Sequence, residues 1–429
     1  MKRRALVGLA SVLWTVGCGS IVDRETSGKG STGNEGGGTA TTSSNGSIVE
    51  TSGTSSSSAG GAGGAPADPG ACIEGWRAVG PVDVPLGESS YRVDSAVAAG
   101  AGTLVGYTSF VDGAGTVAWK VRAFDGGLAP LGPASTIEQT FVSGALGPLS
   151  LVTSPDGVGA LYWMDEGSRV AGLTNSGTLY AAPFEVPTHA AGMLDALGSD
   201  ALSFVGFGTG SDPFSAELWR ASPAGLEKAG PIDIHGFAVG RTNFNDGTFM
   251  AVWANDTVEC ADCALHLVAR VFGADGAPIS DVVPVVTDPS YGFISPGPRI
   301  VSAPLADGVA IAAATSLGIE VHWLDPNGVP SPTPVLLPKA KVHSVGISRV
   351  ANGLLLVSWI AGSESRLEAA LVAIVGPSPV IATWDFGGGY DAAPIIAQRQ
   401  DGAVVFATSY DAGAAKEVLR AVTVSLCSP

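Results

Sequence analysis

Seven times between residues 101 and 406 the chain makes a tight turn and passes at once into an apolar strand. The starts are Ala101-Gly102-Thr103-Leu104, Asp156-Gly157-Val158-Gly159, Ser199-Asp200-Ala201-Leu202, Asp246-Gly247-Thr248-Phe249, Asp307-Gly308-Val309-Ala310, Asn352-Gly353-Leu354-Leu355 and Asp401-Gly402-Ala403-Val404. Asp-Gly and Asn-Gly pairs mark tight turns because glycine takes positive φ without a steric penalty. The runs that follow are β-branched and aromatic, as strands prefer. Trp163, Trp253 and Trp359 each fall six residues after their turn glycine, so the register repeats as well as the turn. Only 14% of residues are charged and 60 of 429 are glycine, a balance that suits short strands and tight turns rather than helices.

A partner strand follows each start, as in Val117 to Phe124, Glu217 to Ala221, Leu265 to Phe272, Ile319 to Leu324, Leu367 to Ile374 and Val418 to Val424. Most then turn again at Asp125-Gly126, Asn175-Ser176-Gly177, Asp275-Gly276 or Asn327-Gly328. A further, proline-bearing strand comes next, as in Leu226 to Ile234 or Val329 to Leu337, and proline suits a strand with only one neighbour. The starts recur every 41 to 61 residues or so. That period, with about four strands per unit, is the signature of a propeller blade. The expected fold is therefore all-β, a seven-bladed β-propeller. A six-bladed ring or tandem β-sandwiches are the alternatives, because two units are irregular.

The last unit stops at Pro429 after three strands. Gly80-Pro81-Val82-Asp83-Val84 matches Gly230-Pro231-Ile232-Asp233-Ile234, the outer strand of the third unit. Residues 76–84 thus read as an outer strand displaced to the front, resembling propellers that close their ring by mixing both termini in one blade. Two cysteines flank the join. Among the four cysteines downstream of Cys18, the economical pairing is Cys72 with Cys427 and Cys260 with Cys263. Cys260-Ala261-Asp262-Cys263-Ala264-Leu265-His266 offers three candidate metal ligands and no second Cys/His pair, so no metal is assigned to it.

The front of the chain carries an address. Met1-Lys2-Arg3-Arg4 is a basic start, and Ala5 to Val16 is apolar but too short to span a bilayer stably. Val16-Gly17-Cys18 resembles the lipobox of bacterial lipoproteins; Thr15 stands where leucine is usual. The resemblance implies a signal peptide over 1–17 and a lipid on Cys18. Residues 18–71 then form a Ser/Thr/Gly-rich disordered tether, and 72–429 the propeller. A coil of that length reaches about 40 Å r.m.s. from its anchor. Loss of Lys2, Arg3 and Arg4 takes the net charge from −17 to near −20, and such a surface repels phosphate backbones, so no nucleic acid partner is expected.

The sequence offers no recognised chemistry to match the architecture. It contains no Asp-x-Asp-x-Asp-Gly calcium loop, no Gly-x-Ser-x-Gly elbow and no phosphate loop. Tyr162-Trp163-Met164-Asp165 is similar to the Tyr-Trp-Thr-Asp motif of receptor-type propellers, but it occurs once, where that motif should recur. His266 and His322 fall mid-strand and read as structural. His235 and His343 fall between units, while His189 belongs to no motif. In a propeller the connections between units share one rim with the loops joining second and third strands. That rim would carry Asp165, Glu166, Asp212, Asn255, Asp256, Glu364, Arg366, Tyr390 and Asp391. The opposite rim would gather Asp125, Asp156, Asp200, Asp246, Asp275, Asp307, Asp325 and Asp401, which read first as turn residues and second as a cation-binding face. The expected function is a lipid-anchored binding or scaffold module of the cell envelope, monomeric, without cofactor, meeting a protein or glycan at the outer membrane or cell surface. The alternative is a propeller-type lyase or glycosidase.

Overall fold

The computed structural model describes residues 70–111, 115–141, 147–155, 157–164, 167–180, 182–188, 190–197, 201–207, 216–235, 237–244, 246–255, 266–287, 300–305, 307–351, 353–374, 379–411 and 416–427. Every strand named below lies among these residues. Strand β1 is Trp76–Val84. Blade 1 follows as β2 (Tyr91–Ala99), β3 (Gly102–Phe110), β4 (Thr116–Phe124) and β5 (Ser135–Phe141). Blade 2 is β6 (Ser150–Ser154), β7 (Gly157–Met164), β8 (Gly167–Leu173) and β9 (Phe184–Val186). Blade 3 is β10 (Ala190–Ala196), β11 (Leu202–Phe207), β12 (Ala216–Ser222) and β13 (Gly225–Ile232). Blade 4 is β14 (Phe237–Asn243), β15 (Phe249–Asn255), β16 (His266–Phe272) and β17 (Val283–Thr287). Blade 5 is β18 (Ile300–Leu305), β19 (Gly308–Thr315), β20 (Gly318–Leu324) and β21 (Val335–Pro338). Blade 6 is β22 (Val342–Ala351), β23 (Leu354–Ala361), β24 (Arg366–Ala373) and β25 (Val380–Asp385). Blade 7 is β26 (Ile395–Arg399), β27 (Gly402–Asp411) and β28 (Lys416–Leu426), completed by β1.

Each blade is an antiparallel meander in sequence order, and the first strands of neighbouring blades touch all the way round, from β2 through β26 and back to β2. The fold is thus the expected seven-bladed propeller. Its core is divided among the seven interfaces between blades, each with its own apolar cluster. This explains the unbroken apolar runs. A second strand such as β3 or β19 is covered on both faces, so nearly every residue in it is buried. Blades 1 and 2 meet through Trp119 and Tyr162, with ring centroids 5.0 Å apart.

The ring closes as the repeated Gly-Pro segment implied. Strand β1 pairs antiparallel with β28, from Trp76 opposite Leu426 to Val84 opposite Leu419. Cys72 is bonded to Cys427, and the Cys427 amide donates to the Gly75 carbonyl at 2.8 Å. Trp76 and Ala78 are buried in the cluster between blades 6 and 7. An open ring would have left β28 as a bare edge, a template for pairing with other chains.

Two turn features differ from the sequence reading. The glycine that opens a second strand is needed for close approach as much as for φ. A Cβ on Gly102 would lie 1.9 Å from the Phe124 carbonyl, and one on Gly308 the same distance from the Leu324 carbonyl. The outer strand of blade 5 is also shorter than Val329 to Leu337. Only Val335–Pro338 is strand, because residues 325–331 form a wide turn in which Asp325 Oδ1 accepts from the amides of Asn327 and Val329, both at 2.9 Å. The same turn closes blade 1, where Asp125 Oδ1 accepts from Gly127 (2.9 Å) and Ala129 (2.8 Å). There Leu128, not glycine, takes the left-handed conformation at φ 68°.

Candidate functional site

The upper rim carries the second-to-third loops and the blade-to-blade connections; the lower rim carries the remaining turns. On the upper rim over blade 6, two segments are zipped together. The Gly389 amide donates to the Glu364 carbonyl at 2.9 Å and the Tyr390 amide to the Ser365 carbonyl at 3.2 Å. Arg366 clamps the same two segments. Its Nε and Nη2 donate to Asp385 Oδ2 at 3.1 and 2.7 Å, and its Nη1 to Glu364 Oε2 at 3.0 Å. Asp385 Oδ1 accepts the Gly387 amide at 2.9 Å, which fixes the start of the connection. His343, at the start of β22 in the same blade, meets the Gly362 carbonyl with Nε2 at 2.9 Å and braces the loop. Tyr390 is buried, its hydroxyl donating to the Phe386 carbonyl at 3.4 Å.

The next residue, Asp391, begins a second grouping at the junction of blades 6, 7 and 1. Its amide donates to the Thr408 carbonyl at 3.1 Å. Glu417, at the upper end of β28, accepts the Tyr91 amide on Oε2 at 3.1 Å. Partial burial pushes the carboxyls of both Asp391 and Glu417 above the usual carboxylate range, and the charge of Asp391 adds to the rise at Glu417. Burial also pushes the Tyr91 hydroxyl up, with Glu417 and Asp391 reinforcing it. Beyond Tyr91, Lys120 Nζ pairs with Glu88 at 2.7 Å, and Ser109 donates to the same carboxylate at 3.2 Å.

Elsewhere round the ring the described charges meet in small, separate groups. Arg270 pairs with Asp233 at 2.6 Å, Lys339 with Glu368 at 2.5 Å, Arg169 with Glu185 at 3.0 Å, and Lys228 with Glu217. His235 is exposed and rests 3.0 Å from Asp233. His322 is buried on β20, 3.1 Å from Glu320, and burial pulls its pKa down. It falls within a strand, as expected. Asp156, Asp165, Glu166, His189, Asp200, Asp212, Asp256, Cys260 and Cys263 lie outside the described residues, as do the side chains of Asn255 and His266 and the segment holding Cys18.

On the lower rim Asp246 and Asp275, like Asp125 and Asp325, hold turns with their side chains. Asp246 Oδ1 accepts from the Thr248 amide (3.0 Å) and hydroxyl (2.6 Å), which hold its carboxyl below the usual range, and Asp275 Oδ1 accepts the Ala277 amide at 3.0 Å. Among the described residues no three His, Cys, Asp or Glu side chains gather as a metal site. Two buried charges on the inner strands were not signalled by any motif. Asp94 sits on a bulge in β2 and accepts from Arg92 Nε at 2.7 Å and from Thr108 at 2.6 Å; burial raises its pKa. Arg241 on β14 lies 3.8 Å over the Phe249 ring and donates to Ser203 (2.7 Å) and to Asn243 Oδ1 (3.0 and 2.7 Å). Burial lowers its pKa to about 10. The Asn243 amide in turn donates to Asp195 at 3.1 Å, which straps blade 3 to blade 4.

No family model and no curated protein matches the chain. Solved structures match it. Puromycin hydrolase does so at 15% identity and a TM-score of 0.46, over 82% of this chain and 55% of that one. The acylaminoacyl peptidase of Pyrococcus horikoshii matches at 8% identity and a TM-score of 0.48, over 79% and 52%. The β-propeller domain of the Trilobed protease from Pyrococcus furiosus matches at 10% identity and a TM-score of 0.47, over 77% and 95%. This chain spans about half the length of the first two structures, and no chemistry is carried over from any of the three.

Proposed function

We propose that this chain is a lipid-anchored protein of the cell envelope or cell surface whose propeller docks a protein or glycan on its upper rim. The observation that supports this reading most is the state of the charges there. Arg366, Arg169, Lys120 and Lys339 are each already paired with a carboxylate, at positions spread over several blades. A catalytic site needs ionisable groups aimed together at one reacting atom. A docking rim needs a shaped, polar surface whose own hydrogen bonds are satisfied before the partner arrives. The disulfide supports the same orientation. Cys72 and Cys427 sit at the lower end of β28, so the tether joins the disc on its lower side and the upper rim points away.

The test is site-specific photocrosslinking in intact cells. A photoreactive residue in place of Glu364 or Arg366 should give one discrete adduct, and one in place of Asp275 on the lower rim should not. Adducts of equal yield from both rims, or none from either, would count against the docking rim.

A further inference from the structure

On the lower face, the seam between blades 5 and 6 opens into a cavity of about 620 Å³. Its apolar walls are Leu305 and Trp323 from blade 5 and Ile374 from blade 6, and all three rest on the apolar cluster between those blades. In the row Ala303, Ala310, Trp323 across blade 5 the two alanines are buried in that cluster and Trp323 is the one that reaches the cavity. Val329, which is 57% exposed, forms the lip.

Arg349 lines the same cavity. On β22, Val345 and Ile347 face blade 5 and belong to its interface cluster, and alternation puts Arg349 next on that face. Its register partner is Leu355, just past the turn. The corresponding inner-strand residue in the other blades is neutral: Ala98, Thr153, Ala196, Asn243, Pro304 and Gln398. Among the described residues no carboxylate or carbonyl accepts from the Arg349 guanidinium. Asp325 lines the cavity too, but its Oδ1 is committed to the Asn327 and Val329 amides. Asp307 is exposed at the edge and forms no ion pair with Arg349. A half-buried guanidinium beside an aromatic face and two aliphatic walls suits a planar anion with an apolar body.

We propose that this notch binds small apolar carboxylates, with the acid on Arg349 and the apolar body against Trp323, Leu305 and Ile374. The volume falls within the range of small-molecule pockets. A free aromatic or aliphatic acid and the C-terminal residue of a peptide carry the same chemistry. The site is on the face opposite the docking rim and is independent of that reading.

The test is calorimetric titration of the full-length protein with N-acetyl-L-phenylalanine, its carboxamide, and a tetrapeptide ending in phenylalanine. The acid should bind at least tenfold more tightly than the carboxamide, since a hydrogen-bonded charge is worth roughly that factor or more. Arg349→Gln should weaken the acid by roughly tenfold or more, leave the carboxamide unchanged and leave the melting temperature unchanged. Arg349→Lys, which keeps the charge but not the fork, should fall between. Asp307→Asn should tighten the acid by removing a like charge. Equal binding of peptide and free acid assigns the site to chain ends, and binding of the free acid alone assigns it to small molecules. Equal affinity for acid and carboxamide, full binding by Arg349→Gln, or no binding of either compound at 10 mM or so would overturn the proposal.

Discussion

Reduction of the Cys72–Cys427 bond should lower the melting temperature by up to about 8 °C. The bond closes a sequence separation of 355 residues. The chain-entropy expression gives roughly 6 kcal/mol for a loop of that length at 25 °C. Unfolding entropy near 2.1 cal/mol/K per residue amounts to about 0.75 kcal/mol/K over a chain of similar size, and the ratio of the two gives the shift. It is an upper value, because β1 retains its ladder to β28 and its buried Trp76 and Ala78 after the bond is cut. The bond expected between Cys260 and Cys263 closes a loop of only four or so residues, worth about 2 kcal/mol on the same expression. Differential scanning calorimetry of oxidised protein, reduced and alkylated protein, Cys427→Ser and Cys263→Ser measures all of these. Hydrogen exchange on the reduced protein should show β1 amides losing protection before those of β27, since the open end frays from the join. A reduced protein melting within about 1 °C of the oxidised one would refute the entropic account of closure. So would a larger loss from Cys263→Ser than from Cys427→Ser.

Three further outcomes follow from local geometry. Gly102→Ala drives a Cβ to 1.9 Å from the Phe124 carbonyl, so the β3–β4 ladder must shift; a loss of about 2–4 kcal/mol by urea unfolding is expected, against less than about 1 for Gly132→Ala, where the added carbon meets nothing. Leu128→Gly removes a buried leucine but relieves a left-handed backbone costing about 1 kcal/mol or more, so its net cost should fall below the roughly 2–5 kcal/mol of an ordinary buried Leu→Ala such as Leu104→Ala. Asp94 has its pKa raised in the folded state, so the native protein holds that proton longer than the unfolded chain; its contribution to stability is greatest at low pH and declines as pH rises from about 4 through the raised value. Subtracting the Asp94→Asn stability profile from the wild-type profile should leave a curve that falls with pH, and a flat difference would contradict the burial argument.

How far the sequence could be read depends on the range of each interaction. Asp-Gly turns and fully covered second strands are local, so Asp307-Gly308 and the run Leu354 to Trp359 announced themselves. Closure was legible because it left a written copy, Gly80-Pro81 against Gly230-Pro231, and two cysteines at the join. The inner strands were not legible: β6 (Ser150–Ser154) and β26 (Ile395–Arg399) are short and only partly buried. On the upper rim, Glu364, Arg366, Tyr390 and Asp391 could be nominated from their loops. Their partners could not, because Asp385 and Glu417 come from separate strands and Tyr91 reaches Glu417 across 326 positions. Asp94, Asp195 and Arg241 had no motif at all. Arg349 could have been flagged only by comparing its position across blades, which requires the inner-strand registers first.

That the disc is held at a membrane through Cys18 is tested most directly by metabolic labelling with palmitate and detergent partition of the wild-type chain beside Cys18→Ser. The wild type should carry label and enter the detergent phase, and Cys18→Ser should lose both while keeping its folded propeller. A Cys18→Ser protein that still labels and still partitions with membranes would contradict the anchor.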